Sequence, residues 1–398
     1  SGTNTGYNFT LGAKMTSATH ANFNDAKDKF DKWFLFVMAD PQTHNNSDDN
    51  CYKRFCDVAV PDIRAQVDRG YNSACNSGTG ANQAYGVLLG DVVWDSSDDD
   101  YHGTMKAKLE VGDTGVYWFA CPGNHDYNYN TRSITGFKNI YGPTRHSFNR
   151  GDVHVVCMNN VQYTSKTSYE GGFSADEFNW LRSDLAAVSK DKCVVLCCHI
   201  QFFGGGSGTH LKSRYHDEVL AELSKFANAY IFTGHRHNHR SYYHKNYGVF
   251  EVNHPAACGQ FWNTKCCSDG SPAGYTIYTF SGNNIAHQRY KAFGTNGSGD
   301  VTVTSRNSTE NGLRVYWAAD NISNSSNQID VYTWGVTNTK VIIANVFLAH
   351  QQGGPAGTIA GDWKVQLSED SGKTWKTMDL VDATFFRHGI PNGLHGFT

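Results

Sequence analysis

The sequence has little net charge and no long apolar segment. It holds 34 lysine and arginine residues against 37 aspartate and glutamate residues, for a net charge of −3 and an isoelectric point near 6.6. Nucleic acids and anionic membranes attract proteins with a strong positive excess, so the charge predicts neither partner. A membrane-spanning helix needs about 20 consecutive apolar residues. The sequence has no run of that length, and we expect no transmembrane segment.

Three further signals are missing. The first residues, SGTNTGYNFT, lack the charged and apolar regions of a signal peptide. No CxxC pair occurs, which argues against a zinc knuckle or a thioredoxin-type site, and no repeat of fixed period is visible. Only 18% of the residues are charged, and lysine is scarce. This composition favours a secreted or periplasmic protein of the cell envelope whose signal has been removed, and we expect a monomer.

Ten of the eleven cysteines fall into two groups. One group lies in apolar, strand-like runs and is expected to be buried as free thiols; its members are Cys157, Cys193, Cys197 and Cys198. The other group lies in polar stretches and can form disulfides in an oxidising compartment; its members are Cys51, Cys56, Cys75, Cys258, Cys266 and Cys267. The odd total leaves at least one thiol outside any intrachain pairing.

Apolar runs of strand length recur through the first 290 residues. They lie at 33–39, 85–90, 116–121, 153–158, 193–198, 229–234 and 248–252. The runs are continuous rather than alternating, which is typical of strands that are buried on both faces. Helix-like segments lie between several of them, and the clearest is 174–188, where Ser174 and Glu177 form a capping box. This alternation predicts a layered α/β fold.

The composition of the sequence changes after residue 292. The stretch FGTNGSGD at 293–300 predicts a linker. Beyond it lie the short β-like runs VTVTS, LRVYWAA, IDVYTWGV, KVIIANVFLA and WKVQLSEDSGKTWKTM, the last with a hairpin turn at EDSGK. We therefore expect one domain over 1–295 and a small all-β domain over 301–398.

Polar side chains follow five of the apolar runs. They are Asp40 with Gln42, Asp91 in GD, Asn124, His125 and Asp126 in GNHD, His199, and His235 with His237 in GHRH. In an open α/β sheet the carboxyl ends of the strands form the ligand-binding edge, so these loops are expected to converge. Oxygen and nitrogen donors without thiolate suit Zn, Fe or Mn better than Ca or a structural zinc.

The ordered set D-x-(H), G-D, G-N-H-(D/E), H and G-H-x-H resembles the signature of calcineurin-like metallophosphoesterases over roughly residues 30–290. The resemblance implies an α/β/β/α sandwich that holds two metal ions, which are Zn, Fe, Mn or Mg. It also implies that Asp91 bridges the two metals. One metal takes Asp40, Asp91, His237 and residue 42, and the other takes Asp91, Asn124, His199 and His235. The tail resembles, more loosely, the C-terminal β domain of secreted members from gut Bacteroidetes.

Two positions depart from the commoner family pattern. Gln42 stands where most members have histidine. The sequence resembles the D-P-Q subgroup here, so we interpret Gln42 as an altered ligand, with His44 as a competing donor. The resemblance implies that His125 is the general acid. The aspartate that orients this histidine in protein phosphatases is replaced by Trp94, which leaves Asp126 or Asp95 as catalytic partners.

Five side chains are candidates for substrate binding. They are His44, His210, Arg236, His254 and Trp262. His210 and His254 could instead be exposed loop histidines. Arg236 could instead form a surface ion pair, and Trp262 could instead belong to a packed loop.

The leading hypothesis is a two-metal hydrolase of small-molecule or polymer-linked phosphoric esters. The ligand set does not separate monoesterase from phosphodiesterase, although few basic residues near the strand ends leave diesters open. The alternative is a non-catalytic, metal-stabilised surface or glycan-binding protein. His125 argues against that alternative, because a structural metal site has no use for a proton donor.

Overall fold

The computed structural model describes most of the chain up to residue 293 and short strands beyond it. The described residues are 32–44, 51–68, 84–94, 101–203, 214–259, 262, 267, 271, 273–293, 313–319, 339–346, 350–352, 366–367, 374, 376–377, 380–381 and 396–397. Among these residues, no helix is long and apolar enough to span a membrane.

The strands up to residue 293 are β1 Lys32–Met38, β2 Ala84–Leu89, β3 Val116–Cys121, β4 Arg145–Arg150, β5 Val153–Met158, β6 Val161–Tyr163, β7 Tyr169–Gly171, β8 Cys193–Cys197, β9 Asn228–Thr233, β10 Arg240–His244, β11 Val249–Asn253, β12 Gly274–Ser281 and β13 Asn284–Ala292. The later strands are β14 Leu313–Ala319, β15 Thr339–Val346, β16 His350–Gln352, β17 Gln366–Leu367, β18 Lys376–Thr377, β19 Leu380–Val381 and β20 Gly396–Phe397. The helices are α1 Cys51–Arg54, α2 Val60–Asp68, α3 Tyr101–Lys108, α4 Val111–Thr114, α5 Thr135–Tyr141, α6 Ala175–Ala186 and α7 His216–Leu223, with a π-helical turn at Phe55–Ala59 between α1 and α2.

Two mixed sheets form the centre of the fold. The first has the strand order β13-β12-β1-β2-β3, in which β1, β2 and β3 run parallel. The second has the order β16-β10-β11-β9-β8-β5-β4, in which β5, β8, β9 and β11 run parallel. Antiparallel strands flank both parallel groups. The parallel strands therefore end at a common edge in each sheet.

The two sheets pack face to face through an apolar layer. Leu35 and Val87 of the first sheet belong to one buried cluster with Val155, Val195 and Phe232 of the second. A separate cluster joins the outer face of the first sheet to helices α1, α2, α3 and α5, and a third joins the outer face of the second sheet to α6 and α7. The layers are thus α/β/β/α, as predicted.

Helix α6 shows why these segments fold locally. The Ser174 hydroxyl accepts a hydrogen bond from the Glu177 amide at 3.2 Å, and the Glu177 carboxylate accepts one from the Ser174 amide at 2.8 Å. This capping box satisfies amides that have no partner within the helix. Phe178, Leu181 and Leu185 then lie on one buried stripe that packs against the second sheet.

Beyond residue 300 the structure describes short strands and residue 374. β14 and β15 pair antiparallel in a four-stranded sheet with β20 and β19. β17 and β18 pair antiparallel across the predicted EDSGK turn, while β16 extends the seven-stranded sheet beside β10. The runs VTVTS and IDVYTWGV and residues 294–300 of the linker lie outside the described residues, so the boundary between 295 and 301 stays a prediction.

Candidate metal centre and active site

The predicted ligands lie at the carboxyl ends of five parallel strands. Asp40 and Gln42 follow β1, Asp91 follows β2, Asn124 follows β3, His199 follows β8, and His235 and His237 follow β9. Asp40, Gln42, Asp91, Asn124 and His199 are buried, and the remaining two are partly buried. Strands from both sheets therefore deliver polar side chains to one edge of the sandwich.

Five of these residues have left-handed backbone geometry. The φ angles are +49° at Asp40, +39° at Gln42, +50° at Asp91, +71° at His235 and +49° at His237. Such angles are uncommon outside glycine and cost about 1–3 kcal/mol each when the surroundings impose them. Five such residues at one edge indicate that the position of their side chains is maintained at the cost of backbone strain, as is common at functional sites.

Two glycines allow the loops to approach closely. A Cβ atom on Gly123 would collide with the Asp91 carboxylate, and one on Gly234 would lie 2.5 Å from the Asp40 carboxylate. Any larger residue at either position would push a carboxylate out of the centre. The glycines of the GNHD and GHRH stretches are thus needed because the absence of a side chain leaves room for the two carboxylates.

Asp91, Asn124, His199 and His235 form a tight donor group. His199 Nε2 lies 3.2 Å from Asp91 Oδ2, 3.0 Å from Asn124 Oδ1 and 3.2 Å from His235 Nδ1. Asp91, His199 and His235 each place one donor atom within 4.8 Å of the others, in a geometry that can hold a metal ion. These are the four residues that the family resemblance implies for the second metal.

The orientation of His199 fits metal binding. Its Nδ1 lies 2.8 Å from the carbonyl oxygen of Leu89, which can only accept a hydrogen bond. The proton of the neutral ring is therefore on Nδ1, and the lone pair of Nε2 faces Asp91, Asn124 and His235. A backbone carbonyl behind the ring fixes the tautomer in the same way at known metal-binding histidines.

Charge at the centre also fits a bound cation. Burial lowers the pKa of His199, but the Asp91 carboxylate raises it more, to about 9. Burial raises the pKa of Asp91, but His199 and His125 hold it below its ordinary value. Burial likewise lowers the pKa of His237, and Asp40 raises it well above its ordinary value. Without metal, the buried carboxylates draw protons onto the histidines, so the centre requires positive charge.

Asp40, Asp91, His237 and Gln42 form the neighbouring donor group. His237 Nε2 lies 3.4 Å from Asp40 Oδ1, and the His235 amide donates to both Asp40 oxygens at 3.1 and 2.9 Å. Gln42 Nε2 donates to Asp91 Oδ2 at 3.1 Å. Asp91 therefore contacts members of both groups, which is the position of a bridging carboxylate.

Cys258 is a neighbour of this group that sequence reasoning did not place. Its thiol lies 3.6 Å from Gln42 Oε1 and also hydrogen-bonds His237. The Cys258 amide donates to the Asp40 carbonyl at 3.1 Å, which holds the segment against the end of β1. All nine described cysteines are free thiols. Cys75 and Cys266 lie outside the described residues.

The predicted acid His125 is held by the backbone of Trp94. His125 Nδ1 lies 2.5 Å from the Trp94 carbonyl oxygen, and the two rings stack with centroids 4.7 Å apart and an angle of 18°. The His125 amide donates to Asp91 Oδ1 at 2.8 Å, so the ring is next to the bridging residue. The carbonyl of residue 94 thus takes the place of the orienting aspartate that the sequence lacks at this position.

Asp126 faces the backbone of the site. Its Oδ1 accepts from the Val92 amide at 2.9 Å and its Oδ2 from the Gly123 amide at 2.7 Å. Burial and the nearby Asp91 charge raise the pKa of Asp126 to about 8. The carboxyl clamps the GNHD loop to the residues after β2. Asp95, the other predicted partner of His125, lies outside the described residues.

The predicted substrate-binding residues are in different environments. His44 is half-buried, and its backbone contacts the Cys51 thiol. Arg236 is exposed between two predicted ligands. Trp262 is buried, donates to the Pro41 carbonyl at 2.7 Å and packs edge-on to Phe55. His210 lies outside the described residues, and the role of all four in substrate binding stays a prediction.

His254 lies in the interior beneath the centre. Its Nδ1 is 3.0 Å from the Thr233 carbonyl and its Nε2 is 2.9 Å from the Tyr278 hydroxyl. Burial lowers its pKa to about 4. The contacts of this side chain are thus with core groups.

The buried His254 predicts acid sensitivity of the metal-free protein. The unfolded chain takes up this proton near pH 6.5 and the folded chain only near pH 4. The contribution of neutral His254 to the free energy of unfolding is complete above pH 6.5. It is lost as the pH falls toward 4, and the loss is at most about 3 kcal/mol. Denaturant titrations of wild type and His254→Gln should show a shallower loss for the variant over this interval. Equal slopes would contradict the prediction.

Two family models match the sequence. The model described as calcineurin-like phosphoesterase matches residues 37–239, and the model for the C terminal of calcineurin-like phosphoesterase matches residues 251–385. The first match runs from the last residues of β1 through the GHRH stretch and so includes every predicted metal ligand. The second begins within β11.

Solved structures with a similar fold include three proteins of low identity. A dimetal phosphatase from Danio rerio is 12% identical, with a TM-score of 0.44 over 66% of this chain and 96% of that one. The purple acid phosphatase PPD1 from yellow lupin is 11% identical, with a TM-score of 0.45 over 66% and 51%. GAP50 of Plasmodium is 11% identical, with a TM-score of 0.39 over 66% and 84%.

A comparison with curated proteins found no significant match. The family match from residue 37 to 239 covers half of the chain and runs through the whole metal-ligand set. The chain belongs to the calcineurin-like phosphoesterase family and is a metal-dependent phosphoesterase.

Proposed function

We propose that the protein hydrolyses phosphodiesters at a centre of two metal ions that share Asp91. The observation that carries the proposal is the contact of Asp91 with two adjacent donor groups. Its Oδ2 lies 3.2 Å from His199 Nε2 and 3.1 Å from Gln42 Nε2, while its Oδ1 accepts from the amide of His125. One residue thus links both candidate metal sites to the candidate acid.

The residues fit two unequal metal sites. Asp40, Gln42, Asp91 and His237 would hold the first ion, and Asp91, Asn124, His199 and His235 would hold the second. When bound, two such ions activate the attacking water and neutralise the charge of the phosphate oxygens. The second group has two imidazoles and suits Zn or Fe. The first has only one, and its oxygen ligands allow Mn or Mg.

His125 supplies the proton for the leaving oxygen. The Trp94 carbonyl requires a proton on Nδ1, so the protonated ring carries its transferable proton on Nε2. Stacking on the Trp94 ring holds the imidazole plane. The side chain therefore enters the reaction already oriented, which removes part of the entropy cost of proton transfer.

A diester fits the charges around the centre better than a monoester. A monoester dianion favours several cations, and two of the three arginines Arg145, Arg236 and Arg240 already have partners. Arg145 pairs with Asp176 at 2.6 Å, and Arg240 lies over the Phe203 ring at 4.8 Å. The third, Arg236, is exposed.

The proposal is tested by measuring hydrolysis of bis-p-nitrophenyl phosphate and p-nitrophenyl phosphate by metal-stripped protein reloaded with Zn, Fe, Mn or Mg. We expect two metals per chain and a higher kcat/KM for the diester. Metal loading without hydrolysis of either ester would contradict the proposed reaction, and a preference for the monoester would contradict the substrate class.

Gln42 is expected to be a weak ligand of the first ion. A half-turn of the side-chain amide would exchange Oε1 with Nε2, which now faces Asp91. This rotation costs little because the energy of glutamine depends only weakly on its last torsion angle, χ3. Gln42→Ala should weaken metal binding at the first site by ~10-fold or more. Gln42→His should tighten it, because imidazole replaces a neutral oxygen donor.

The measurement is a metal titration of stripped protein. Gln66→Ala, which removes a buried glutamine from α2, serves as the control. Equal affinities in wild type, Gln42→Ala and Gln42→His would show that residue 42 is not a ligand.

A further inference from the structure

Three tyrosines form a continuous wall beside the candidate centre, and Arg132 links a fourth tyrosine to it. Tyr127 and Tyr163 have ring centroids 5.0 Å apart, and Tyr163 and Tyr169 are 5.4 Å apart. The Tyr169 ring meets the His235 ring edge-on at 6.0 Å. The fourth, Tyr129, is 57% exposed at the outer end of the wall. We call these four residues together with Arg132 the tyrosine rim.

The rim is attached directly to the residues of the centre. The Tyr163 hydroxyl donates to the carbonyl of Asn124 at 2.9 Å. Tyr163 and Tyr169 sit on the paired strands β6 and β7, while Tyr129 and Arg132 lie on the loop that continues from the GNHD stretch. A hairpin and a loop therefore meet next to the residue that precedes His125.

Arg132 carries the positive charge of the rim. Its guanidinium lies over the Tyr129 ring at 4.9 Å and over the Tyr163 ring at 4.8 Å. Its Nε donates to the carbonyl of Lys166 at 2.5 Å. Among the described residues no carboxylate forms an ion pair with it.

The loop that carries Arg132 is held in one shape. The Arg132 amide donates to the Asn128 carbonyl at 2.7 Å, and the Asn128 amide donates to the Ser133 carbonyl at 2.8 Å. The Asn128 side chain accepts from the Asn130 and Thr131 amides. Two ring faces and an ordered loop thus hold the guanidinium in place, and its remaining N–H groups suit a planar, bidentate anion.

Building on the proposed diesterase function, we propose that the tyrosine rim binds the leaving group of the substrate. A planar ring of the leaving group packs against the exposed Tyr129, and a second negative charge, beyond the phosphate that reacts, pairs with Arg132. The leaving side is indicated by chain continuity, because His125 and Arg132 lie on one loop and only the Tyr163 ring separates Arg132 from Asn124. The substrate class is therefore a phosphodiester of an anionic aromatic alcohol or of a nucleotide.

The test uses two methyl aryl phosphodiesters whose leaving groups match in size and basicity. One carries 4-(2-carboxyethyl)phenol and the other 4-(3-methylbutyl)phenol, whose terminal isopropyl group has the shape of the carboxylate, so that a single remote carboxylate distinguishes them. For the metal-loaded wild type, we expect kcat/KM to be ~10-fold higher for the charged ester, the scale of one charge-assisted hydrogen bond.

Two variants separate the rim from a general loss of structure. Arg132→Gln should bring the ratio of the two kcat/KM values close to one, and Arg132→Lys should restore part of it. Arg182→Gln is the matched control, because Arg182 also lies over an aromatic ring, that of Phe178, but on the exposed side of α6. The control should keep the wild-type ratio.

Binding of the corresponding non-hydrolysable benzylphosphonate methyl esters gives a readout that does not require turnover. Tighter binding of the carboxylate form by wild type, lost in Arg132→Gln, supports the rim even if no ester is hydrolysed, in which case the proposed function fails alone. The same preference in wild type and Arg132→Gln, or an equal loss for both ligands, overturns the proposal for the rim while leaving the proposed function intact.

Discussion

Replacing Asp91 with asparagine is expected to remove both metal ions and to lower diester hydrolysis by more than ~10³-fold. The carboxylate contacts members of both donor groups, and an amide offers one neutral oxygen in place of two charged ones. Loss of a residue that only supports a ligand already costs 10–100-fold in metal affinity or activity at known sites, so a shared ligand should cost more.

The matched control is Asp184→Asn. Asp184 forms a comparable pair with a histidine, His154, at 2.8 Å, but at α6 and β5, on the side of the second sheet away from the first. It should keep two metals and wild-type activity. Metal analysis together with turnover decides the matter, and two bound metals with full turnover in Asp91→Asn would be incompatible with a bridging role.

Replacing His125 with alanine is expected to leave both metals bound and to slow hydrolysis by ~10²–10⁴-fold, the usual scale of a lost general acid. The metal ligands keep their own contacts, because the His125 contact with Asp91 is made by the backbone amide. The loss should shrink as the leaving group becomes a weaker base, since such a group departs without a proton.

A series of aryl methyl phosphodiesters of graded leaving-group basicity measures this dependence. Trp94→Ala is the informative comparison, because it removes the stacked ring but keeps the carbonyl that holds Nδ1. It should cost less than His125→Ala. An equal loss for good and poor leaving groups in His125→Ala would mean that this histidine is not the acid.

The strands that carry the centre were readable in the sequence because they are continuous apolar runs. The predicted strands 116–121 and 153–158 agree with β3 and β5. Each of the other predicted strands differs from the structure by one residue at one or both ends. Strand β4 was not predicted, because the alternating burial of RHSFNR gives no continuous run. β12 and β13 were missed for a related reason, since threonine and tyrosine interrupt the apolar pattern of GYTIYTFS and charged residues interrupt β13.

The candidate ligands were also accessible from the sequence, because each follows a strand and their order matches a known family. The contacts that support these ligands could not be predicted from the sequence. The Trp94 carbonyl that holds His125 is a backbone group, which no side-chain motif encodes. Cys258 meets Gln42 across 216 residues of sequence. The tyrosine rim joins a loop to a hairpin, and only the fold brings them together.

Asp91 is proposed to lie between two metal ions. The most direct measurement is an anomalous difference map from crystals of the manganese-loaded protein. We expect two peaks on either side of the Asp91 carboxylate, one beside Asp40 and His237 and the other beside Asn124 and His199. A single peak, or peaks that do not contact Asp91, would contradict this proposal.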